Sequence, residues 1–240
     1  MEKATVVVIG GGATGVGILR DLAMRGIDVL LLEKEDLVNG ASSRYHGLLH
    51  SGGRYAVKDQ EAAKECIEEN TILRKIGTSC VEPIGGMFVR LDSDDADFEA
   101  SWVEGCRASG IEARPLTLDE AFRMEPRLSR HIVSAYAVPD AAIDGFRMSW
   151  QNVASAVRYG GRYKTYAEVV GIQETNGALT GVRVRERFTG REYPIACDIL
   201  VNAAGGWCEK VAELAGLNVP VQPDKGTLIA FNQRLANHVV

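Results

Sequence analysis

Hydrophobic positions follow different rules in different parts of this chain. Residues 5–9 (Thr-Val-Val-Val-Ile) and 28–32 (Asp-Val-Leu-Leu-Leu) are short continuous apolar runs, the pattern of strands buried on both faces of a parallel sheet. Between them, Ile18, Leu19, Leu22 and Ala23 fall on one helical stripe while Arg20, Asp21 and Arg25 turn outward. Gly26 stands where a helix C-terminal cap belongs. Together these pieces predict a complete β-α-β unit of about 30 residues. Residues 36–55 are rich in Gly and Ser and have no period. Helices are then predicted over 59–76, 96–109, 118–124 and 146–159, and strands over 86–91 and 132–138. From 162 to 196 the pattern is of strands, with Asn176-Gly177 and Thr189-Gly190 as turns. Residues 198–201 read as another buried strand, running into Asn202-Ala203-Ala204-Gly205. There is no internal repeat and no low-complexity tract, and the fold class is α/β.

Composition narrows the function classes. Of 240 residues 46% are hydrophobic and 25% charged, which excludes a disordered chain. The 27 basic and 32 acidic residues leave a net charge of -5, so a general nucleic-acid surface is not expected. No run reaches the ~18 consecutive apolar residues of a membrane span. Met1-Glu2-Lys3-Ala4 leads into the first strand without a signal-peptide pattern. Five cysteines, odd in number and never in C-x-x-C spacing, fit reduced thiols in a cytoplasmic protein. His46 and His50 have the spacing of a helical metal pair, but Gly47, Gly52 and Gly53 around them argue against a helix. No metal site is predicted.

Gly10-x-Gly12-x-x-Gly15 lies between a predicted strand and a predicted helix, with the acidic Glu33 eighteen residues beyond Gly15. In that setting Gly10 permits a tight turn, Gly12 lets backbone approach a pyrophosphate, and Gly15 lets helix and strand pack closely. The helix start offers unpaired N–H groups and partial positive charge to phosphates. Glu33 can accept hydrogen bonds from an adenosine ribose. The motif leaves NAD and FAD both open.

The loop from Gly40 to Tyr55 is not something a nicotinamide-binding domain needs after its second strand. Hydroxyls of Ser42 and Ser43 can bond phosphate or ribityl oxygens, and the backbone of Gly47 to Leu49 can face the edge of a flat ring. Arg54 can hold a phosphate through its planar fork of donors. The alternative is an ordinary polar loop with Arg54 on a solvated face.

The stretch S-S-R-x-x-G-L-L-H-S-G-x-R-Y-A-V, starting at Ser42, resembles the flavoprotein family that includes D-amino-acid oxidase, glycine oxidase and the FAD-dependent glycerol-3-phosphate dehydrogenases. It is most similar to the catalytic large subunit of the anaerobic glycerol-3-phosphate dehydrogenases. Cys66-Ile67 with Glu69-Asn70, Cys80-Val81-Glu82-Pro83, Val138-Pro139-Asp140, Phe146-Arg147, Asn202 to Gly205 with Trp207, and Lys225-Gly226 carry the likeness along the chain. The resemblance implies FAD as cofactor. Its diphosphate site falls on Gly10, Gly12, Ala13, Thr14 and Gly15, and its ribose contact on Glu33, with Lys34 beside it. The flavin loop falls on Ser42, Ser43, Gly47, Leu48, Leu49 and His50, the adenine contact on Val169, and a second backbone approach on Ala203, Ala204 and Gly205. Read without the family, Val169 is a core strand residue and Trp207 a packing residue.

The resemblance also implies a Rossmann-like FAD-binding domain of the glutathione-reductase type with an inserted α+β substrate domain. FAD-binding segments are expected at 1–80 and 145–225, substrate-domain segments at 81–144 and 226–240. The implied reaction is oxidation of sn-glycerol 3-phosphate to dihydroxyacetone phosphate, with hydride passing to flavin N5. Arg54 and Tyr55 are the expected substrate contacts, and His50 is a flavin-loop residue able to polarise the ring. Electrons are expected to go to a quinone or to electron-transfer and membrane-anchor subunits, with a peripheral station at the inner face of the cell membrane. Members of the family are considerably longer, so the chain reads as an N-terminal portion, C-terminally incomplete and inactive alone, with an unpaired β-prone edge at 227–231. Asp140-Ala141-Ala142-Ile143 departs from the family, which carries a glycine after the aspartate. A flavin oxidoreductase acting on a 2-hydroxy acid or amino acid, a nicotinamide enzyme and a non-catalytic FAD-binding module are the alternatives.

Overall fold

The computed structural model describes residues 2–240. In chain order its elements begin with β1 (Glu2–Ile9), α1 (Ala13–Met24), β2 (Val29–Leu32), β3 (Leu48–Leu49) and α2 (Gln60–Ile76). Then come β4 (Val81–Glu82), β5 (Gly86–Leu91), α3 (Ala96–Ser109), β6 (Arg114–Leu116), α4 (Leu118–Met124), β7 (Ile132–Val138) and β8 (Ala141–Ile143). The last are α5 (Gly145–Arg158), β9 (Arg162–Lys164), β10 (Ala167–Thr175), β11 (Ala178–Glu186), β12 (Glu192–Asn202) and α6 (Cys208–Glu213). The predicted helices agree with α2, α3, α4 and α5 to within a residue at each end. Among the described residues no helix is long and apolar enough to cross a membrane.

The chain forms two compact units, divided after Tyr45, after Asp144 and after Leu228. The first holds a six-stranded sheet in the order β10-β11-β12-β1-β2-β9. Strands β12, β1, β2 and β9 run parallel, while β10 and β11 are antiparallel additions. The apolar runs of β1 and β2 are buried on both faces, as a covered parallel sheet requires. On one face Val6, Val8, Val29 and Leu31 pack against Val16, Leu19 and Ala23 of α1 and Val153 and Ala156 of α5. On the other, Val7, Ile9, Leu30 and Leu32 meet Ala167, Val182, Val184 and Ile195. Each fully buried Leu there contributes roughly 1.5–3 kcal/mol. Gly26, at φ +75°, ends α1 with its N–H on the Ala23 carbonyl. Asn176 and Gly177, both at positive φ, make the β10–β11 hairpin turn.

One strand departs from expectation. Residues 198–201 continue β12 without a break, and Ile199 is 53% exposed rather than buried. Strand β11 pairs with β12 only as far as Ala196, so the end of β12 has β1 alone beside it.

The second unit contains two antiparallel three-stranded sheets, β3-β8-β4 and β5-β7-β6. Helices α2 and α3 share a core of Ala63, Trp102, Cys106, Ile111 and Val138. Helix α4, started by a reciprocal cap between Thr117 and Glu120, places Ala121 against Met87, Leu116 and Ala135. Because Ala63 of α2 belongs to this core, residues 46–80 are compact with the second unit, so its boundary falls earlier than the expected 80/81 division. Residues 227–231 form no strand, and Leu228, Ile229 and Phe231 are exposed. A strand needs a neighbour for its backbone groups, and among the described residues none pairs with this run. The strand-like pairing of the last residues is at Val239, whose carbonyl accepts the Met87 N–H at 2.7 Å.

Candidate functional site

The turn between β1 and α1 is fixed by contacts that only glycine tolerates. Gly10 has φ +111°, and a Cβ there would fall 2.5 Å from the Ala203 carbonyl oxygen. A Cβ at Gly15 would fall 1.9 Å from the Gly10 carbonyl oxygen. Gly11, which the motif did not single out, donates its N–H to Glu33 Oε2 at 2.7 Å, and its absent Cβ would meet Leu37 at 2.8 Å. Gly12 differs from all three. Its backbone is extended, at φ -77° and ψ -179°, and a Cβ would approach only Ser42 Oγ, at 3.1 Å.

Helix α1 starts from Gly12 with no side-chain cap of its own and no acidic residue in its first turn. Ser42, twenty-nine residues on, accepts the Ala13 N–H at 2.9 Å. The positive end of α1 therefore has one N–H held by a hydroxyl and no carboxylate in its first turn.

It opens on a cavity of about 550 Å³, within the usual range for small-molecule sites. Gly10, Gly12, Ala13 and Thr14 line it from the turn, Glu33 and Lys34 from the end of β2, and Ser42 from the loop. Val169 lines it from β10, and Ala203, Ala204 and Gly205 from beyond β12. Glu33 is oriented by two backbone donors, Gly11 on one oxygen and Glu35 at 2.8 Å on the other. Lys34 Nζ sits 4.3 Å from the centre of the Trp207 ring, and both line the cavity. Trp207, read as a packing residue, is 43% exposed.

Sequence reasoning missed Gly40, Arg185 and Lys210 in this lining. Gly40 lay within the loop already singled out, whereas Arg185 belongs to a hairpin whose alternation gave no hint of a site. Six expected cofactor residues are not in the lining: Gly15 and Ser43 in the first unit, and Gly47, Leu48, Leu49 and His50 in the second. Gly15 lies behind the turn, buried on Gly10, and Ser43 is exposed with its hydroxyl on the Gly40 carbonyl.

Gly47, Leu48, Leu49, His50, Arg54 and Tyr55 belong to the second unit. Gly47, at φ +73°, accepts the Ile143 N–H, and Leu48 and Leu49 pair with β8. His50 meets Tyr55 edge-on, ring centres 5.7 Å apart, and its Nδ1 is buried with no hydrogen-bond partner. Arg54 is exposed and makes no ion pair among the described residues. His46 Nδ1 accepts the Leu48 N–H at 3.2 Å, and no group of three metal-ligating side chains occurs among the described residues. All five cysteines are free, and burial pushes the Cys106 thiol up to about 11.

A glycine turn, a bare helix start and an oriented carboxylate around one cavity define a dinucleotide-binding α/β protein. The family model described as FAD dependent oxidoreductase matches residues 5–239, and the chain belongs to that family. It is 46% identical to a subunit of the anaerobic glycerol-3-phosphate dehydrogenase of Haloferax volcanii, over 100% of this chain and 43% of that protein. It is 42% identical to the corresponding subunit of the anaerobic glycerol-3-phosphate dehydrogenase of Escherichia coli K12, over 100% of this chain and 44% of that protein. The chain thus spans less than half the length of these relatives. Among solved structures, L-proline dehydrogenase from P. horikoshii superimposes with a TM-score of 0.77 at 26% identity, covering 92% of this chain and 58% of that one. The FAD complex of glycerol-3-phosphate dehydrogenase from Bacillus halodurans gives 0.65 at 24%, covering 88% and 36%, and supports the fold alone.

Proposed function

We propose that this protein uses FAD to oxidise sn-glycerol 3-phosphate to dihydroxyacetone phosphate. The residues present fit the ADP half of the cofactor. Beside Gly12 only the Ser42 hydroxyl comes close, the start of α1 carries no carboxylate, and Glu33 lines the same cavity. Gly12, Ala13 and Thr14 would hold the diphosphate, Glu33 the ribose with Lys34 beside it, and Val169 the adenine. Ser42, which caps Ala13, would exchange that hydrogen bond for one to phosphate. Bound FAD would supply a two-electron acceptor for the hydride that leaves C2 of the substrate as its C2 hydroxyl loses a proton.

The observation that carries the substrate reading is Arg54. An exposed guanidinium without an acidic partner is an available bidentate donor for a phosphate dianion, and Tyr55 beside it adds a hydroxyl. The relatives are each named as one subunit of their enzyme. That supports an assembly in which further subunits take the electrons on, towards a quinone at the inner face of the membrane. The first unit is then the FAD-binding domain and the second the substrate domain.

Amino-acid oxidation is the second reading, favoured by the 26% identity to an L-proline dehydrogenase. Turnover of glycerol 3-phosphate and L-proline by the full-length protein, with a dye as acceptor, separates the two. Glycerol 3-phosphate is expected to be the substrate. Dye reduction by L-proline alone would replace the proposal.

A further inference from the structure

The backbone from Leu49 to Gly53 is held at alternate residues by buried side chains from three different elements. Asn70 of α2, fully buried, donates from Nδ2 to the Leu49 carbonyl at 3.0 Å. Asp140, between β7 and β8 and 4% exposed, accepts the Ser51 N–H on Oδ1 at 2.6 Å. Trp102 of α3, 5% exposed, donates its indole N–H to the Gly53 carbonyl at 2.8 Å. Steric walls complete the fastening. Gly52, at φ +94°, lies where a Cβ would fall 2.5 Å from the Ala63 carbonyl oxygen. A Cβ at Gly53 would fall 2.9 Å from the ring of Phe88, which stacks on Trp102 at 4.7 Å.

Polar side chains in an apolar core cost free energy unless each finds a partner, and the gain from one hydrogen bond is modest. Asn70 shows the point most sharply, because its Oδ1 is buried with no partner while its Nδ2 is used on Leu49. Leucine, of similar size, would leave no unpaired oxygen at this fully buried position of α2. What the anchored segment delivers to the surface is Arg54 and Tyr55, both exposed. A phosphate contact on a pre-ordered backbone avoids the ordering cost that a mobile loop would incur on binding.

We infer that Trp102, Asn70 and Asp140 are positioning residues that set the 49–53 backbone so that Arg54 meets the substrate phosphate in a fixed place. This rests on the substrate reading of Arg54.

The test is a double-mutant cycle on the full-length flavoprotein with Trp102→Phe, which keeps the aromatic plate and removes the N–H. Alone, it is expected to raise KM for glycerol 3-phosphate roughly fivefold to tenfold, the scale of one hydrogen bond. Flavin content should be unchanged, kcat should stay within about twofold, and amide exchange at residues 52–56 should accelerate. In the Arg54→Ala background the same change should move KM by less than about twofold, because the effect passes through Arg54. Equal increases in both backgrounds would reduce Trp102 to a structural role and overturn the inference. So would an unchanged KM in Trp102→Phe alongside a raised KM in Arg54→Ala. An unchanged KM in Arg54→Ala would overturn the substrate reading itself, and the inference with it. Should Trp102→Phe fail to fold, Asn70→Leu enters the same cycle with the same expectations, since it removes one hydrogen bond and one unpartnered buried oxygen together.

Discussion

The turn at Gly10–Gly15 in the first unit and the segment at 49–55 in the second hold their shapes by different means. In the turn, backbone packs on backbone: Gly15 on the Gly10 carbonyl, and Gly10 on Ala203. Side chains enter at its margins, where Glu33 takes the Gly11 N–H, Leu37 closes over Gly11 and Ser42 takes the Ala13 N–H. In the segment, close contacts at Gly52 and Gly53 are joined by side chains from α2, α3 and the β7–β8 link that reach in to hold carbonyl and amide groups. A shape made by excluded volume fails all at once when a methyl group is added. A shape made by separate hydrogen bonds loosens one bond at a time. The first suits a glycine turn at a nucleotide site, the second the substrate contact proposed at Arg54.

That contrast predicts the largest effect at Gly15. In Gly15→Ala the new methyl carbon must displace a carbonyl oxygen 1.9 Å away, which requires β1 and α1 to separate. A loss of more than about 3 kcal/mol is expected in chemical denaturation, well above the usual single-substitution cost. Gly12→Val, three residues away, should do the opposite. Its backbone conformation is open to any residue and its side chain would enter the cavity, so stability should change by about 1 kcal/mol or less while flavin content falls to background. If both variants lost stability alike, the division between packing and binding glycines would be wrong.

Next in size is Arg54→Ala. Losing one charge-assisted phosphate contact should cost about 1.5–3 kcal/mol in transition-state binding of glycerol 3-phosphate. Unphosphorylated glycerol should be turned over as before. The two substrates compared by kcat/KM check this, and an equal loss with both would remove Arg54 from the phosphate role.

The two regions also differ in how far they could be read from sequence. The turn was legible because its parts are contiguous: an apolar run, three spaced glycines, a helical stripe and an acid at the end of the next strand. The reason Gly11 must also be glycine was not, since it depends on the Leu37 side chain folding back over the turn. In the second region Arg54 and His50 were visible as chemistry, but their supports were not. Trp102 and Gly53 are forty-nine residues apart, and Ser51 and Asp140 eighty-nine. Periodicity carries no information about partners at that separation. The same limit explains the misread end of β12, where Asp198 to Val201 look buried by composition. There Asp198 and Ile199 are exposed, while Leu200 and Val201 are half-buried against the two cores of the first unit.

The smallest expected effect concerns a second anchored segment in the same unit, at Asn237–Val239. Glu125, 3% exposed at the end of α4, accepts the backbone N–H groups of Asn237 and His238 at 2.5 and 2.6 Å, and His238 Nδ1 lies 2.8 Å from the same oxygen. Burial pushes this carboxyl up. The His238 ring, the two backbone donors and the imidazole's charge outweigh it, so the net shift is below the ordinary 4.5. A carboxyl whose folded value is depressed contributes stability that is fully present above its unfolded value. That stability is lost as pH falls through the folded one. The 237–239 segment should therefore hold firmly at pH 6 and loosen below about 4.5, with amide exchange at Met87 reporting the release of its bond to the Val239 carbonyl. Glu125→Gln should weaken the segment by about 1 kcal/mol at pH 6 and should remove the acid dependence. A Met87 amide whose protection falls with acid equally in the native protein and in the Glu125→Gln variant would show that the anchor is steric, like the glycine turn, and not held by this carboxylate.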